Sequence, residues 1–408
     1  MSLIVQKYGG SSVSDVQKIN HVSRRIIERL EEGHRIVVVV SAMGNTTDQL
    51  LSLARSITDS PNPRETDVLL STGEIVASSL IAITLSHMGV EAISLNGSQA
   101  GIITDNLHGN AMIAEINASR ILKELDAGKV VIVAGFQGVG NDTDVRLLGR
   151  GASDLSAVAI AAELDAERCE IFTDVEGIYT ADPRIVDDAK KIEEIGYEEM
   201  LEMASSGAKM QPRSIELGMT FQVPILVASS FNNNPGTLIH GGVKIMNPTV
   251  GEMRNRVTGV PSEKNVSKIT ILGALDKPGV AAEIFEPLSK AGISVDVIVQ
   301  NSSNSGNTDI TFTVKSDQLK EALSITQDSS SKLQINGVSS EDGFGKVSII
   351  GTGMLNVPGY ASKMFAALAN ASVNIEMITT SEIRITCLVK ETQLDQAVRA
   401  VHSAFDVG

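Results

Sequence analysis

Over the first 240 residues of this 408-residue chain, short β-branched runs alternate with long segments of helical periodicity, and this alternation constrains the fold more than any other feature. The runs are IVVVV at 36–40, VVIVA at 130–134 and CEIFT at 169–173. A strand apolar along its whole length reads as buried on both faces, which suits a sheet covered by helices on each side. Val13, Val16, Ile19, Val22, Ile26 and Leu30 fall at helical spacing, and Ser14 with Gln17 has the form of a capping box. Further helical patterns cover roughly 65–88, 111–127 and 154–164. Strands and helices in this order predict an α/β layered fold with a largely parallel central sheet.

Around 232–262 the texture changes to NNNPG, HGG, NPT and VPS, which is rich in turns and weakly periodic. A first domain is therefore expected over 1–245 and a linker over 246–265. Beyond it lies an internal repeat. KITILG (268–273) matches KVSIIG (346–351), and Pro278-Gly279 matches Pro358-Gly359. Phe285, Leu288, Ile293, Val295 and Asp296 match Phe365, Leu368, Val373, Ile375 and Glu376. Each copy reads strand, Pro-Gly turn, helix, strand and a further strand (ITFTV 310–314; ITCLV 385–389), a small α+β unit present twice, over 266–342 and 343–408.

Composition removes several function classes. The net charge is −15, tryptophan is absent and aromatic residues make up 3% of the chain, which argues against a nucleic-acid reader and against an anionic membrane surface. Cys169 and Cys387 stand alone in distant segments, so neither a disulfide framework nor a cysteine zinc site is expected, and a reducing compartment fits. Gln6 and Lys7 interrupt the N-terminal apolar run, so no signal peptide is expected there. No apolar stretch reads as long and charge-free enough to span a bilayer, so a soluble cytoplasmic protein without a membrane partner is expected.

Five segments carry chemistry. In KYGGSSVS (7–14) a lysine and two glycines follow a strand, which suits either a phosphate cradle or a tight turn; there is no Walker loop. SAMGNTTDQL (41–50) puts Ser41, Thr46 and Thr47 at a strand end, as ligand contacts or as helix caps. In LLSTGEIVASSLIA (69–82), Glu74 lies in an apolar helix and needs a partner, either a substrate ammonium or an internal salt bridge. LGRGASDLSAVAIAAEL (148–164) sets Arg150 between glycines, where its fork suits a carboxylate. Asp154 in that segment is a ligand group or an N-cap. EIFTDVEGIYTADPR (170–184) runs off a strand end, where such sheets bind ligands, and surface-loop residues are the alternative.

In this order, K-Y-G-G-S-S, SAMGNTTD, STGE, GRGASD, TDVEGIYTADPR and GAKM (207–210) resemble the aspartate kinase branch of the amino acid kinase family over the whole chain, and the repeat resembles its tandem ACT domains. The resemblance implies an amino acid kinase-like sandwich followed by two ferredoxin-like ACT domains. It implies transfer of the γ-phosphoryl of Mg-ATP to the side-chain carboxylate of L-aspartate, feeding lysine, threonine and methionine synthesis. Lys7, Asp154 and Lys209 would be catalytic. Lys7, Tyr8, Gly9, Gly10, Ser41, Thr173, Asp174, Tyr179, Asp182, Arg184, Lys209 and Met210 would surround ATP. Thr47, Glu74, Arg150, Gly151, Ala152, Ser153 and Asp154 would hold aspartate, with no protein metal ligand assigned for the Mg²⁺. Lysine, threonine or both would bind at Asp276, Gly279, Ala281, Asp296, Gln300, Tyr360, Ala361, Asn374, Ile375, Ser381 and Glu382. A homo-oligomer through the ACT domains would follow, and Met246 or Met253 would allow a shorter regulatory chain from an internal start.

The chain departs from the family pattern in three places. Ala152 replaces a glycine, Leu155-Ser156 replaces two threonines, and Gln211-Pro212-Arg213 falls one residue closer to GAKM. The last leaves open how the loop after Lys209 closes. Two rival readings are a sibling kinase acting on glutamate or N-acetylglutamate, and a non-catalytic amino-acid sensor.

Overall fold

The computed structural model describes residues 2–242, 257–301, 306–330, 335–354 and 357–407. Most of the expected linker, with Met246 and Met253, lies outside the described residues. The chain divides into two compact units that interleave in sequence, where the expected division was continuous. One comprises Met1–Ile178, Lys191–Ser205 and Lys209–Thr249; the other takes Tyr179–Lys190, Ser206–Ala208 and Val250–Gly408.

The first unit runs β1 (Leu3–Tyr8), α1 (Val16–Glu31), β2 (Arg35–Val40), α2 (Thr46–Ile57), α3 (Pro63–His87), β3 (Ala92–Leu95), β4 (Ile102–Thr104), β5 (Ile113–Ile116), α4 (Ser119–Asp126), β6 (Val130–Ala134), β7 (Gln137–Val139) and β8 (Val145–Leu147). It continues with α5 (Ser153–Glu163), β9 (Arg168–Thr173), β10 (Glu194–Ile195), α6 (Tyr197–Ser205), α7 (Pro212–Phe221), β11 (Ile225–Ser229) and β12 (Thr237–Ile239). Eight strands form one sheet in the order β10-β12-β11-β9-β1-β2-β6-β3. All its neighbours are parallel except β11 and β12, as the apolar runs predict. A second sheet of four short strands has the order β5-β4-β7-β8.

The helical stripe of α1 is seated as its spacing predicts: Ile19, Val22 and Ile26 are buried with Ile4, Val38 and Ile132 of the sheet. Val16, in the first turn, is instead exposed. The cap is Asp15, which accepts from the Lys18 amide at 2.9 Å, and not the expected Ser14–Gln17 box. The expected helix over 111–127 is a strand followed by a shorter helix. Ile113–Ile116 is held by antiparallel pairing to β4, so a tertiary ladder overrides local helical spacing.

α3 matches its predicted span, but it corrects the expectation that no segment could cross a membrane. By length and composition alone it qualifies. Its apolarity has a local cause, because Ala77, Ile81, Ala82 and Leu85 are buried in the cluster around the sheet. Asp67 and Glu74 are buried on the same helix.

The second unit contains β13 (Ser262–Leu275), α8 (Val280–Lys290), β14 (Ile298–Gln300), β15 (Asn307–Lys315), α9 (Leu319–Ser330), β16 (Gly337–Ile350), α10 (Tyr360–Asn370), β17 (Met377–Thr380), β18 (Arg384–Lys390) and α11 (Leu394–Phe405). The repeat is real in three dimensions. Gly279 and Gly359 both take left-handed backbone, at φ 98° and 109°, as N-caps of α8 and α10, which explains why each copy keeps a glycine there. Phe285, Leu288, Ile293 and Val295 pack in one core, and Phe365, Leu368, Val373 and Ile375 pack in its counterpart. Each copy also carries a second helix, α9 or α11, absent from the sequence reading. The copies share one antiparallel sheet, ordered β14-β15-β13-β16-β18-β17. Ala181 and Val186 complete the core of the second copy, which is why 179–190 belongs to this unit.

Candidate active site

The C-terminal ends of five strands of the first unit stand level. Tyr8 lies opposite Val40 and Phe172, Val40 opposite Ala134, and Ser229 opposite Thr173. The loops leaving β1, β2, β6, β9 and β11 therefore share one edge, the place where parallel α/β sheets bind ligands.

The first two loops are stitched together by backbone. Ser41 N–H donates to Tyr8 O at 3.1 Å and Gly44 N–H to Gly10 O at 3.0 Å. A Cβ on Gly10 would lie 2.6 Å from Ala42 O, so only glycine fits. Gly9 N–H is already spent on Phe172 O at 3.1 Å. KYGGSSVS leaves the strand through a 3-10 turn over Gly10–Val13, and the start of α1 is capped by Asp15. The cation of this loop is Lys7. Its Nζ lies 2.6 Å from Asp154 Oδ1, with both side chains nearly buried. The Tyr8 ring is buried against Phe172, with centroids 4.9 Å apart, so only its backbone meets the loop edge.

Glu74 comes to the same edge from α3. A Cβ on Gly73 would meet Ala42 Cβ at 2.8 Å, so the glycine lets the helix press against the β2 loop. Glu74 Oε1 accepts from Ala42 N–H at 3.1 Å, while the buried Oε2 has no hydrogen-bond partner. Among the described residues no cation lies within ion-pair distance of Glu74, so the internal salt bridge is absent. Burial pushes its carboxyl up to about 7, against a smaller lowering by the Ala42 amide.

Ser153 and Asp154 open α5, and Ala152 is buried just before it. Ala152 packs with Leu147, Leu148 and Phe136. Gly135, after β6, is where a Cβ would press on Ser153 at 2.9 Å. Arg150 and Gly151 precede this start, with Gly151 in left-handed backbone at φ 78°. Arg150 is 89% exposed in its side chain, and its Nη2 reaches Asp48 Oδ1 at 3.0 Å, one residue from the half-buried Thr47. At the end of β9, Thr173 Oγ1 donates to Asp174 Oδ1 at 3.2 Å, and Lys209 Nζ lies 3.4 Å from the same oxygen. Partial burial raises the Asp174 carboxyl, but Lys209 and the Thr173 hydroxyl outweigh it and hold the group below its ordinary range. Met210, beside Lys209, is buried.

Lys7, Gly9, Gly10, Ser41, Glu74, Ser153, Asp154, Thr173 and Asp174 thus gather at one edge of one unit. Tyr179, Asp182 and Arg184 belong to the second unit, where Arg184 Nη2 pairs with Asp182 Oδ2 at 2.6 Å. Two groups escaped the sequence reading. Asp67, buried on α3, accepts from His108 Nδ1 at 2.7 Å and from Gly109 N–H at 3.1 Å. Its signal was the one that marks Glu74, a carboxylate in an apolar helix. Arg213 donates to Leu148 O at 2.7 Å and to Ala111 O at 3.0 Å, which only the fold brings near.

The expected effector residues lie in the second unit. Asp276 N–H donates to Gly306 O at 2.9 Å, and Ala281 and Gln300 are exposed. Asp296 is paired with the buried Lys346, which also reaches Glu263 at 3.1 Å. In the second copy Tyr360 stacks on Phe405 at 6.1 Å, and Ala361 and Ile375 line the core. Asn374 Nδ2 donates to Glu376 at 3.3 Å. Ser381 N–H donates to Arg384 O at 2.8 Å, beside the exposed Glu382.

Residues 2–229 match the amino acid kinase family model, and 269–329 and 347–405 match an ACT domain model. The aspartokinase of Mycolicibacterium smegmatis is 46% identical, over 100% of this chain and 97% of the relative. The crystal structure of E. coli aspartokinase III in complex with aspartate and ADP (R-state) superimposes with a TM-score of 0.84 at 27% identity, covering 98% of this chain and 99% of that one. The same enzyme in complex with lysine and aspartate (T-state) gives 0.73 at 27% identity, over 99% of each chain. The chain belongs to the amino acid kinase family and, within it, to the aspartokinases.

Proposed function

We propose that the chain transfers the γ-phosphoryl group of ATP to the side-chain carboxylate of L-aspartate, forming an acyl phosphate, and that amino-acid effectors act through the ACT pair. The observation that carries the reading is the buried, unpartnered Oε2 of Glu74. A buried carboxylate oxygen without a cation calls for an ammonium, and an α-amino acid brings one. Arg150, exposed and only loosely paired, is the cation that takes a substrate carboxylate in a two-pronged grip.

The acceptor needs no base. A side-chain carboxyl of pKa about 3.9 is already ionised at neutral pH. The obstacle is repulsion between a carboxylate and a highly anionic nucleotide, so catalysis comes from positioning and positive charge. Lys7, held by Asp154 at 2.6 Å, is a cation fixed before any ligand arrives. Lys209 stands on the nucleotide side with Asp174. Mg²⁺ would arrive on the nucleotide phosphates, and Asp174 is the protein carboxylate that would stand beside it. Bound there, Mg²⁺ supplies neutralisation of phosphate charge.

E. coli aspartokinase III binds lysine in its T-state crystal structure, and lysine or threonine is the effector class proposed for the sites around Asp276–Gln300 and Tyr360–Glu382. The test is an ATP- and aspartate-dependent hydroxamate assay, with glutamate and N-acetylglutamate as alternative acceptors, run with and without lysine plus threonine. Aspartate-dependent product that the effectors suppress 5- to 150-fold, a coupling of about 1–3 kcal/mol, is expected. Turnover with another acceptor in preference to aspartate would overturn the substrate; identical kinetics with and without effectors would overturn the regulation.

A further inference from the structure

The turn that carries Arg150 is tied on one side to the start of α5, where Ala152 N–H donates to Gly149 O at 3.1 Å and Asp154 N–H to Gly151 O at 3.4 Å. On its other side it leans on a neighbour. Gly149 sits in left-handed backbone at φ 96°, and a Cβ there would lie 2.4 Å from Asn110 Oδ1. Asn110 is clamped on both sides. Before it, Gly109 N–H donates to the buried Asp67 carboxylate of α3 at 3.1 Å, and His108 Nδ1 lies 2.7 Å from the same group. After it, Ala111 O accepts from Arg213 Nη2 at 3.0 Å, and Ala111 N–H donates to Leu147 O at 2.8 Å. The other arm of Arg213, Nη1, donates to Leu148 O at 2.7 Å and reaches Asn110 Oδ1 at 3.5 Å.

One guanidinium thus ties both strands of the support: the 110–111 segment and the residue immediately before Gly149. It does so with three uncharged oxygens as its partners, in the first turn of α7, four residues after Lys209. A forked planar donor reaches two carbonyls at once, which a single ammonium cannot do. Asp67 enters the same support from the helix that carries Glu74, two turns along.

We propose that Arg213 is a positioning residue for aspartate: it sets the 149–151 turn and therefore the place from which Arg150 meets the substrate carboxylate. The effect belongs to acceptor binding and not to the nucleotide. The inference rests on the reading of Arg150 as a carboxylate ligand.

The experiment is steady-state kinetics of the full chain with Arg213→Met, Arg213→Lys and Asn110→Ala, each alone and combined with Arg150→Ala. The expected result is a rise in aspartate KM of about 10- to 100-fold in Arg213→Met, the scale of a small misplacement of a binding group, with ATP KM within about 2-fold of the parent. Arg213→Lys should recover part of the loss. In the Arg150→Ala background the Arg213 substitution should add nothing further to aspartate KM, because it acts through the group already removed. Additive effects in the double variant, or equal rises in both KM values, would overturn the proposal. If Arg213→Met fails to fold, Asn110→Ala reports the same support, and an unchanged aspartate KM there would also overturn it. Failure of the parent enzyme to use aspartate would refute the substrate reading instead, so the two outcomes are distinct.

Discussion

Two cations of the candidate site, Lys7 and Arg150, are held in opposite ways. Lys7 is nearly buried and locked to Asp154 at 2.6 Å, whereas Arg150 is 89% exposed and touches a half-open partner, Asp48, at 3.0 Å. The interior pair has paid its desolvation and ordering in folding, so its field is in place when the nucleotide arrives. An exposed ion pair contributes little and exchanges readily for a ligand. Under the proposed function, this contrast makes Lys7 the candidate for transition-state stabilisation and Arg150 the candidate for acceptor binding.

The largest expected effect removes the fixed charge. Lys7→Ala should lower kcat by about 10²- to 10³-fold, the cost of losing one preorganised donor, with aspartate KM nearly unchanged. Steady-state kinetics showing the reverse would dissolve the distinction. Next comes the adjustable charge. Arg150→Ala should raise aspartate KM by about 10- to 100-fold, the worth of a charge-assisted contact, and leave most of kcat. An unaltered KM would remove Arg150 from the acceptor site.

The smallest effect is read through pH. Glu74 is pushed up to about 7 by burial, so the folded protein binds a proton that the unfolded chain releases near the ordinary value of 4.5. Stability from this group is complete below about 4.5 and is lost as pH rises to 7, by about 3 kcal/mol in all. Glu74→Gln should remove that loss, which urea titrations at pH 5 and 8 would show. Aspartate KM of the parent should fall as pH rises through 7, because the ionised carboxylate is the form that takes an ammonium. A flat profile, or the same profile in Glu74→Gln, would count against the role.

Much of this was legible in the chain because it follows from local pattern. The all-apolar runs marked parallel strands, and Glu74 stood out as a charge in an apolar helix. The repeat was visible because its Pro-Gly turns need left-handed backbone at Gly279 and Gly359. What escaped depends on distant partners. β5 is a strand only because β4 is beside it. The segment 179–190 joins the second unit through Ala181 and Val186, two apolar residues with no periodicity to announce them. That Gly9 N–H is bonded to Phe172 O at 3.1 Å depends on a strand far away in the chain. Arg213 is informative only once Leu148 and Ala111 are seen to converge on it.

The division between a fixed and an adjustable cation is tested most directly by binding without turnover. Calorimetric titration of aspartate into the parent, Lys7→Ala and Arg150→Ala proteins, each saturated with a non-hydrolysable ATP analogue, separates the roles. The account predicts parent-like affinity in Lys7→Ala and a loss in Arg150→Ala. Equal losses in both, or a loss confined to Lys7→Ala, would contradict it.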